Sequence, residues 1–438
     1  MHFRRNNKFL NKIILYVFLF IVALFFLSLN LVIRTENRYY HTDEVVNLER
    51  TKFFDWYITG EFGDSYWKTE ESFDQPKFSE LFFGLLMKVL YKKSAIETLS
   101  SNGFYRKTEL YSDPTIEKDI QDYCCSIGNL PILTASKINV VFDLRKALVL
   151  LFSIPTLILV FLVCYKVKGY LYGLSSMVII GSNNLFIDSN TTVMSDSLLW
   201  FFSLLFVYIS FFYYENIENK KTSKKLLLLL GVVSGIAISV KLNAVVLLVY
   251  FLILSLLLII KNKGSWFLIK NMFILFFSSF LVFYITNPFL WSQPVSGSIK
   301  MVNHRLALLD SQVEERYIAS SFSDRLVNVY KKTLSKNSPY SNFEKYFPVS
   351  NTISLDLFII LIGVAVFLFK QKKEKIKIPK KIIAFVLYFA TLFMMTIFFI
   401  KIDWDRYYIP FILILGLTHS YIFVYFFKNL FVFLKKFI

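Results

Sequence analysis

Short polar groupings interrupt an otherwise apolar chain. His41-Thr42-Asp43-Glu44 and Asp74-Gln75-Pro76-Lys77 are the first two. Met194-Ser195-Asp196-Ser197, Lys241-Leu242-Asn243 and Asn287-Pro288-Phe289-Leu290-Trp291 follow, and Asp403-Trp404-Asp405-Arg406-Tyr407-Tyr408 is the last. The residue types suit acid–base and anion chemistry. Adjacent carboxylates at Asp43 and Glu44 offer a general base, and Lys241 and Arg406 offer cations. Arg grips an oxyanion with two parallel hydrogen bonds, whereas Lys acts as a point charge. The plainer alternative for Asp43 and Glu44 is that acids favour the first turn of a helix. Trp291, Trp404, Tyr407 and Tyr408 read first as anchors at a membrane interface.

Other chemistries find no support. The four histidines are His2, His41, His304 and His419, and none has the paired spacing of a zinc helix. There is no phosphate-binding glycine loop, dinucleotide fingerprint or nucleophile elbow. Of three cysteines, Cys124 and Cys125 are adjacent and Cys164 lies in a hydrophobic run. That spacing gives no disulfide framework and no zinc site, with a strained 124–125 bridge as the alternative. Asp43, Glu44, Asp74 and His41 could together hold a hard divalent cation such as Mg or Mn; the sequence assigns no metal.

The elements that must position these residues are membrane spans. The chain has 438 residues, 55% hydrophobic and 18% aromatic, above the 45–50% apolar share usual in soluble domains. Apolar runs near 13–33, 145–165, 170–187, 197–214, 225–241, 244–260, 267–287, 353–369, 381–400 and 408–427 predict about ten transmembrane helices. Helices satisfy their backbone groups internally, as lipid requires, and the runs lack the alternation of a membrane barrel. The expected class is an all-α integral membrane protein. The first run is too long for a signal peptide and reads as a retained span.

Charge sets the orientation. With the N-terminus inside, the inner segments carry 23 basic and 3 acidic residues, and the rest of the chain 26 basic and 28 acidic. The entire +18 excess falls on one side, as the positive-inside rule expects. Basic loops beside anionic lipid account for it, and no nucleic-acid role is needed. The division is 1–33, inner terminus and first span; 34–144, first outer loop; 145–287, central bundle; 288–352, second outer loop; and 353–438, last spans and inner tail. A composition rich in Phe, Ile, Lys and Asn suggests an AT-rich genome, and so a bacterial plasma (inner) membrane.

Within the first outer loop, Thr42 suits a helix start and Gly60 a stop. Pro76 suits the first turn of another helix. Phe78, Leu81, Phe82, Leu85, Leu86, Val89 and Leu90 then keep helical spacing, with Glu80, Lys88 and Lys92 on the other face. Such a helix is expected to lie in the interface, or else to pack on its own loop.

Together these residues resemble the polytopic GT-C glycosyltransferases, in particular the dolichyl-phosphate-mannose protein mannosyltransferase-like group with its bacterial polyprenyl-phosphate-sugar transferases. His41-Thr42-Asp43-Glu44 resembles that family's Asp-Glu pair at its first interfacial helix. Asp74-Gln75-Pro76-Lys77 sits where the family has Asp-His-Pro-Pro, with Gln75 and Lys77 as departures. Met194-Ser195-Asp196-Ser197-Leu198-Leu199, Lys241 in Ser-Val-Lys-Leu-Asn, Asn287-Pro288-Phe289-Leu290-Trp291 and Arg406-Tyr407-Tyr408-Ile409-Pro410 resemble further outer-face motifs. The segment 92–144 matches nothing in the family's pattern.

The resemblance implies transfer of a mannose-like sugar from a polyprenyl-phosphate donor to a protein, lipid or glycan acceptor on the extracytoplasmic face, with inversion. Asp43, then Glu44, would be the base, and Lys241 and Arg406 would bind the donor phosphate. His41, Asp74, Gln75, Asp196, Asn287 and Asp405 would line the site. A transporter or flippase, or a polymerase of lipid-linked glycans, is the alternative. Transporters often show internal repeats and helices broken at the midplane, and here the ionisable residues gather at one face.

Overall fold

The computed structural model describes residues 2–36, 42–63, 67, 70–101, 135–218, 224–261, 266–315, 322–329, 386–394 and 409–434. Among the described residues there are helices and turns and no strand. The first long helix, α1 (His2–Glu36), is followed by α2 (Thr42–Glu49) and α3 (Lys52–Thr59). The sequence suggested one helix from Thr42 to Gly60. It breaks at Arg50 and Thr51, where the Thr51 hydroxyl donates to the Leu48 carbonyl at 2.6 Å. Gly60 does end it, with φ +74°, a conformation glycine adopts at little cost. Next come α4 (Glu70–Asp74), α5 (Phe78–Tyr91) and α6 (Ala95–Ser101). The buried Asp55 carboxylate caps α6, accepting from the Ala95 and Ile96 amides at 3.1 and 2.7 Å. The adjacent cysteines lie outside the described residues.

The bundle follows. One long helix is assembled from α7 (Ala135–Leu148), a π turn (Val149–Ser153) and α8 (Ile154–Lys168). Then come α9 (Tyr170–Gly181) and α10 (Asn184–Asn190), separated by a break at Asn183. The Asn183 side chain caps α10 by accepting from the Leu185 and Phe186 amides. The remaining elements are α11 (Ser195–Glu218), α12 (Lys224–Val240), a 3-10 turn (Leu242–Val245), α13 (Val246–Lys261), α14 (Trp266–Ile285), a 3-10 turn (Pro288–Leu290), α15 (Pro294–Glu315), α16 (Phe322–Val329) and α17 (Ile409–Leu434). Residues 386–394 are also helical.

Five helices among the described residues are long and apolar enough to cross a membrane: Ile14–Thr35, Asn139–Lys168, Ser195–Ile217, Leu242–Ile260 and Phe267–Ile285. The chain is therefore an all-α, multi-pass membrane protein. The expected span at 353–369 lies outside the described residues, as does most of the one at 381–400.

Lipid supplies no hydrophobic force between helices, so close approach depends on small residues. Gly231 and Gly235 of α12 supply it against α14. A Cβ on Gly235 would lie 2.6 Å from the Ser279 carbonyl oxygen and 2.7 Å from the Val282 Cβ. Chain direction alternates through the bundle, and side-chain bonds mark both ends. At one end Tyr16 stacks on Tyr170 at 4.2 Å, and Lys166 lies 3.6 Å from Glu215. At the other, the Thr286 hydroxyl donates to the Ser239 hydroxyl at 2.8 Å. The polar residues of interest gather at this second end.

Candidate active site

Helix α2 brings Asp43 and Glu44 into its first turn. Successive helical side chains point about 100° apart, so one turns inward and the other does not. Glu44 is fully buried and Asp43 half-buried. Arg145, one turn before the π segment, meets Glu44 with a fork: Nε lies 2.8 Å from Oε1 and Nη2 lies 2.5 Å from Oε2. Arg145 Nη1 also donates to the Thr35 carbonyl at 3.0 Å, tying in the end of α1. Glu44 Oε1 accepts a further bond from the Val193 amide at 2.7 Å. One turn along α2, Asn47 donates to the Val193 carbonyl at 2.9 Å. Two side chains of α2 thus satisfy both backbone groups of Val193, in a turn (residues 191–194) that is wholly buried. Buried backbone groups need such partners.

That turn leads directly into Asp196 at the start of α11. Asp196 accepts from Lys241 Nζ at 2.9 Å, and both side chains are largely buried. Lys241 sits in extended backbone where α12 gives way to the 3-10 turn. No residue is left over for a loop. An ammonium has three donors, and Asp196 takes one.

A second charged group lies between α3, α4, α5 and α15. Asp74 Oδ2 accepts from Arg50 at 2.7 Å, and its Oδ1 accepts from Arg305 at 3.0 Å. Burial pushes the Asp74 carboxyl up, but Arg50 and Arg305 outweigh it and hold the group below its usual range. Next to it, fully buried Lys77 reaches Glu80 with Nζ–Oε2 at 2.8 Å and packs its ammonium 4.4 Å from the centre of the Phe53 ring. Burial dominates both members, raising Glu80 and lowering Lys77. The Lys77 amide donates to Asn287 Oδ1 at 2.9 Å. Asn287 also donates to the Phe283 carbonyl at 2.6 Å, which fastens the α4–α5 turn to the end of α14. Gln75 is half-buried in that same turn.

The structure therefore assembles Asp43, Glu44, Asp74, Gln75, Asp196, Lys241 and Asn287 at one end of the bundle, linked by these contacts. His41, Asp405 and Arg406 lie outside the described residues. Sequence reasoning missed Arg50, Arg145, Glu80 and Arg305. Arg145 carried a signal, being an arginine at the mouth of an apolar run. Glu80 was read as lying opposite the apolar stripe of α5 with Lys88 and Lys92; Glu80 is buried against protein, while the two lysines are exposed. Arg305 had no local signal.

Among the described residues no three His, Cys, Asp or Glu side chains converge as a metal site. Glu44 is committed to Arg145, and Asp74 to two arginines. His41, the remaining residue of the set named with Asp43, lies outside the described residues.

Residues 133–292 match the family described as dolichyl-phosphate-mannose-protein mannosyltransferase. No curated protein matches the chain significantly. The matched segment contains Arg145, Val193 and Asn287, which bond to Glu44, Asn47 and Lys77 of the preceding segment, and also the Asp196–Lys241 pair. The match over residues 133–292 is consistent with a GT-C-like mannosyltransferase, the resemblance that the residues around Asp196, Lys241 and Asn287 suggested.

Proposed function

We propose that this protein transfers a sugar from a polyprenyl-phosphate donor to a hydroxyl or amine of a protein, lipid or glycan acceptor, on the extracytoplasmic face of the plasma (inner) membrane. The family match over residues 133–292 carries this reading. Asp43 is the general base. It stands beside Glu44, whose commitment to Arg145 and Val193 makes Glu44 a positioning residue that fixes α2. As Asp43 takes the acceptor proton, the acceptor oxygen or nitrogen bonds to the anomeric carbon. The bond from that carbon to the phosphate oxygen breaks from the opposite side, with inversion. The departing phosphate keeps the electron pair, and Lys241 and Arg406 offset its charge.

The test uses purified protein in liposomes with radiolabelled polyprenyl-phosphate sugars, mannose first, and a membrane extract as acceptor. Wild type should move label from lipid to acceptor, and Asp43→Asn should lower turnover by about 10²–10⁴. Normal turnover in Asp43→Asn would remove the assignment. Label that stays on intact lipid while changing leaflet would favour a transporter.

A further inference from the structure

Helix α15 leaves the end of the bundle with two unlike faces. One face is held by protein. Gly297 and Met301 are buried, Lys300 lies 4.3 Å from the centre of the Phe73 ring, and Arg305 binds Asp74. The opposite face carries Val295, Ile299, Val302 and Leu306, which are 73, 55, 45 and 53% exposed. Their spacing of four, three and four residues puts them in one narrow stripe along the helix. Ser296 and Asn303 are exposed on the flank.

The stripe does not stand alone. Phe273, Phe277, Phe280 and Ile285 of the preceding span are also largely exposed. These are the residues that lipid covers in a helix long enough to cross the bilayer. Only the turn at 286–293 separates them from Val295. That turn is pinned to α14 by paired bonds between Tyr284 and Trp291: the Tyr284 hydroxyl donates to the Trp291 carbonyl at 3.0 Å, and the indole donates to the Tyr284 carbonyl at 2.8 Å. The apolar surface of α14 is therefore continuous in sequence with the stripe on α15. Helix α5 shows a related pattern: Glu80 faces protein, while Leu85, Val89 and Leu90 are exposed, with Lys88 exposed among them.

We infer that α15 is a membrane-seated helix. Its 22 residues run about 33 Å, with Val295, Ile299, Val302 and Leu306 sunk into the boundary between headgroups and acyl chains. The bilayer surface is the partner of this face. Because Arg305 projects from the other side to Asp74, seating α15 in lipid also fixes the α4–α5 turn. The inference depends on the chain being a membrane protein and not on the reaction it catalyses.

The full-length protein, carrying the photo-crosslinker p-benzoylphenylalanine at Ile299, Leu306, Ser296 or Asn303 in turn, would be reconstituted into vesicles of tritiated phosphatidylethanolamine and phosphatidylglycerol. Each variant would first be matched to wild type in melting temperature. Irradiation should give phospholipid adducts at 299 and 306 in severalfold higher yield than at 296 and 303. Adducts to a second copy of the chain, equal yields at all positions, or no lipid adduct at any of them would overturn the inference. The yields are read without reference to sugar transfer. Lipid adducts alongside an unimpaired Asp43→Asn would leave the seat standing and remove only the catalytic assignment.

Discussion

Glu44 and Arg145 are both fully buried and form an ion pair. Removing one side chain strands the other in a low-dielectric site. That typically costs about 3–5 kcal/mol, whereas replacing both with apolar residues of similar volume costs much less. Glu44→Gln and Arg145→Met should each lower the melting temperature of the purified protein strongly. The double variant Glu44→Leu/Arg145→Met should recover part of the loss. A double variant as unstable as the sum of the singles would mean that the pair is not coupled. Asp74 behaves differently, because it is tied to two arginines at once. Its folded pKa is depressed, so its stabilising effect is complete above the ordinary carboxylate value of about 3.9 and is lost as pH falls through the lower folded value. Melting temperature should therefore show no contribution from Asp74 titration between pH 7 and 5, and an acid decline below that. Asp74→Asn should be less stable at neutral pH and should flatten the acid limb.

At the scale of the elements, helix contact in this bundle depends on places where a side chain is missing. A Cβ on Gly235 would meet backbone and Cβ atoms of α14, which yield less readily than the end of a flexible side chain. Alanine favours a helix over glycine by about 1 kcal/mol in water. Forced overpacking costs about 1–3 kcal/mol. Gly235→Ala should therefore destabilise, read as a lower melting temperature in detergent. An unchanged or raised value would show that α12 and α14 can separate freely. The helices between Thr42 and Ser101 bear on pattern in a second way. Their hydrophobic period was legible in the sequence for α5, and the expected helix is present. What the period did not reveal is which face meets protein. In water the apolar stripe turns inward. Here Glu80 and Lys77 turn inward as an ion pair, while Lys88 stays exposed beside Leu85 and Val89. The break between α2 and α3 was likewise hidden. It turns Arg50 toward Asp74, which lies 24 residues further along the chain.

Across the whole molecule, apolar runs and charge bias were enough to place the span ends. Residues 35, 145, 193, 241 and 287 all come to the same end of the bundle, as alternation of successive spans requires. The positions at which polar residues interrupt hydrophobic runs were therefore legible, and so was much of the candidate site. Their pairings were not, since Glu44 meets a partner 101 residues away. The charge bias further predicts that both termini face the cytoplasm. In intact cells, an impermeant thiol reagent should label a cysteine placed at Ser311, which is exposed on α15, and should spare one placed at Lys220. The reverse pattern would invert the molecule and put Asp43 in the cytoplasm.

The π turn at Val149–Ser153 carries a consequence for the span that contains it. Such a turn is the mark of an extra residue accommodated in a helix, and each residue added or removed rotates everything beyond it by about 100°. The segment above the turn faces Glu44 with Arg145, while the segment below keeps its own set of buried residues, Leu157, Val160 and Val163. The Ser153 hydroxyl, bonded to the Asn190 carbonyl at 2.8 Å, holds the junction. The two halves of this span therefore keep separate phases. The half that serves the polar end is indexed to α2, the half that serves the bundle is indexed to its neighbours, and the wide turn absorbs the mismatch between the two.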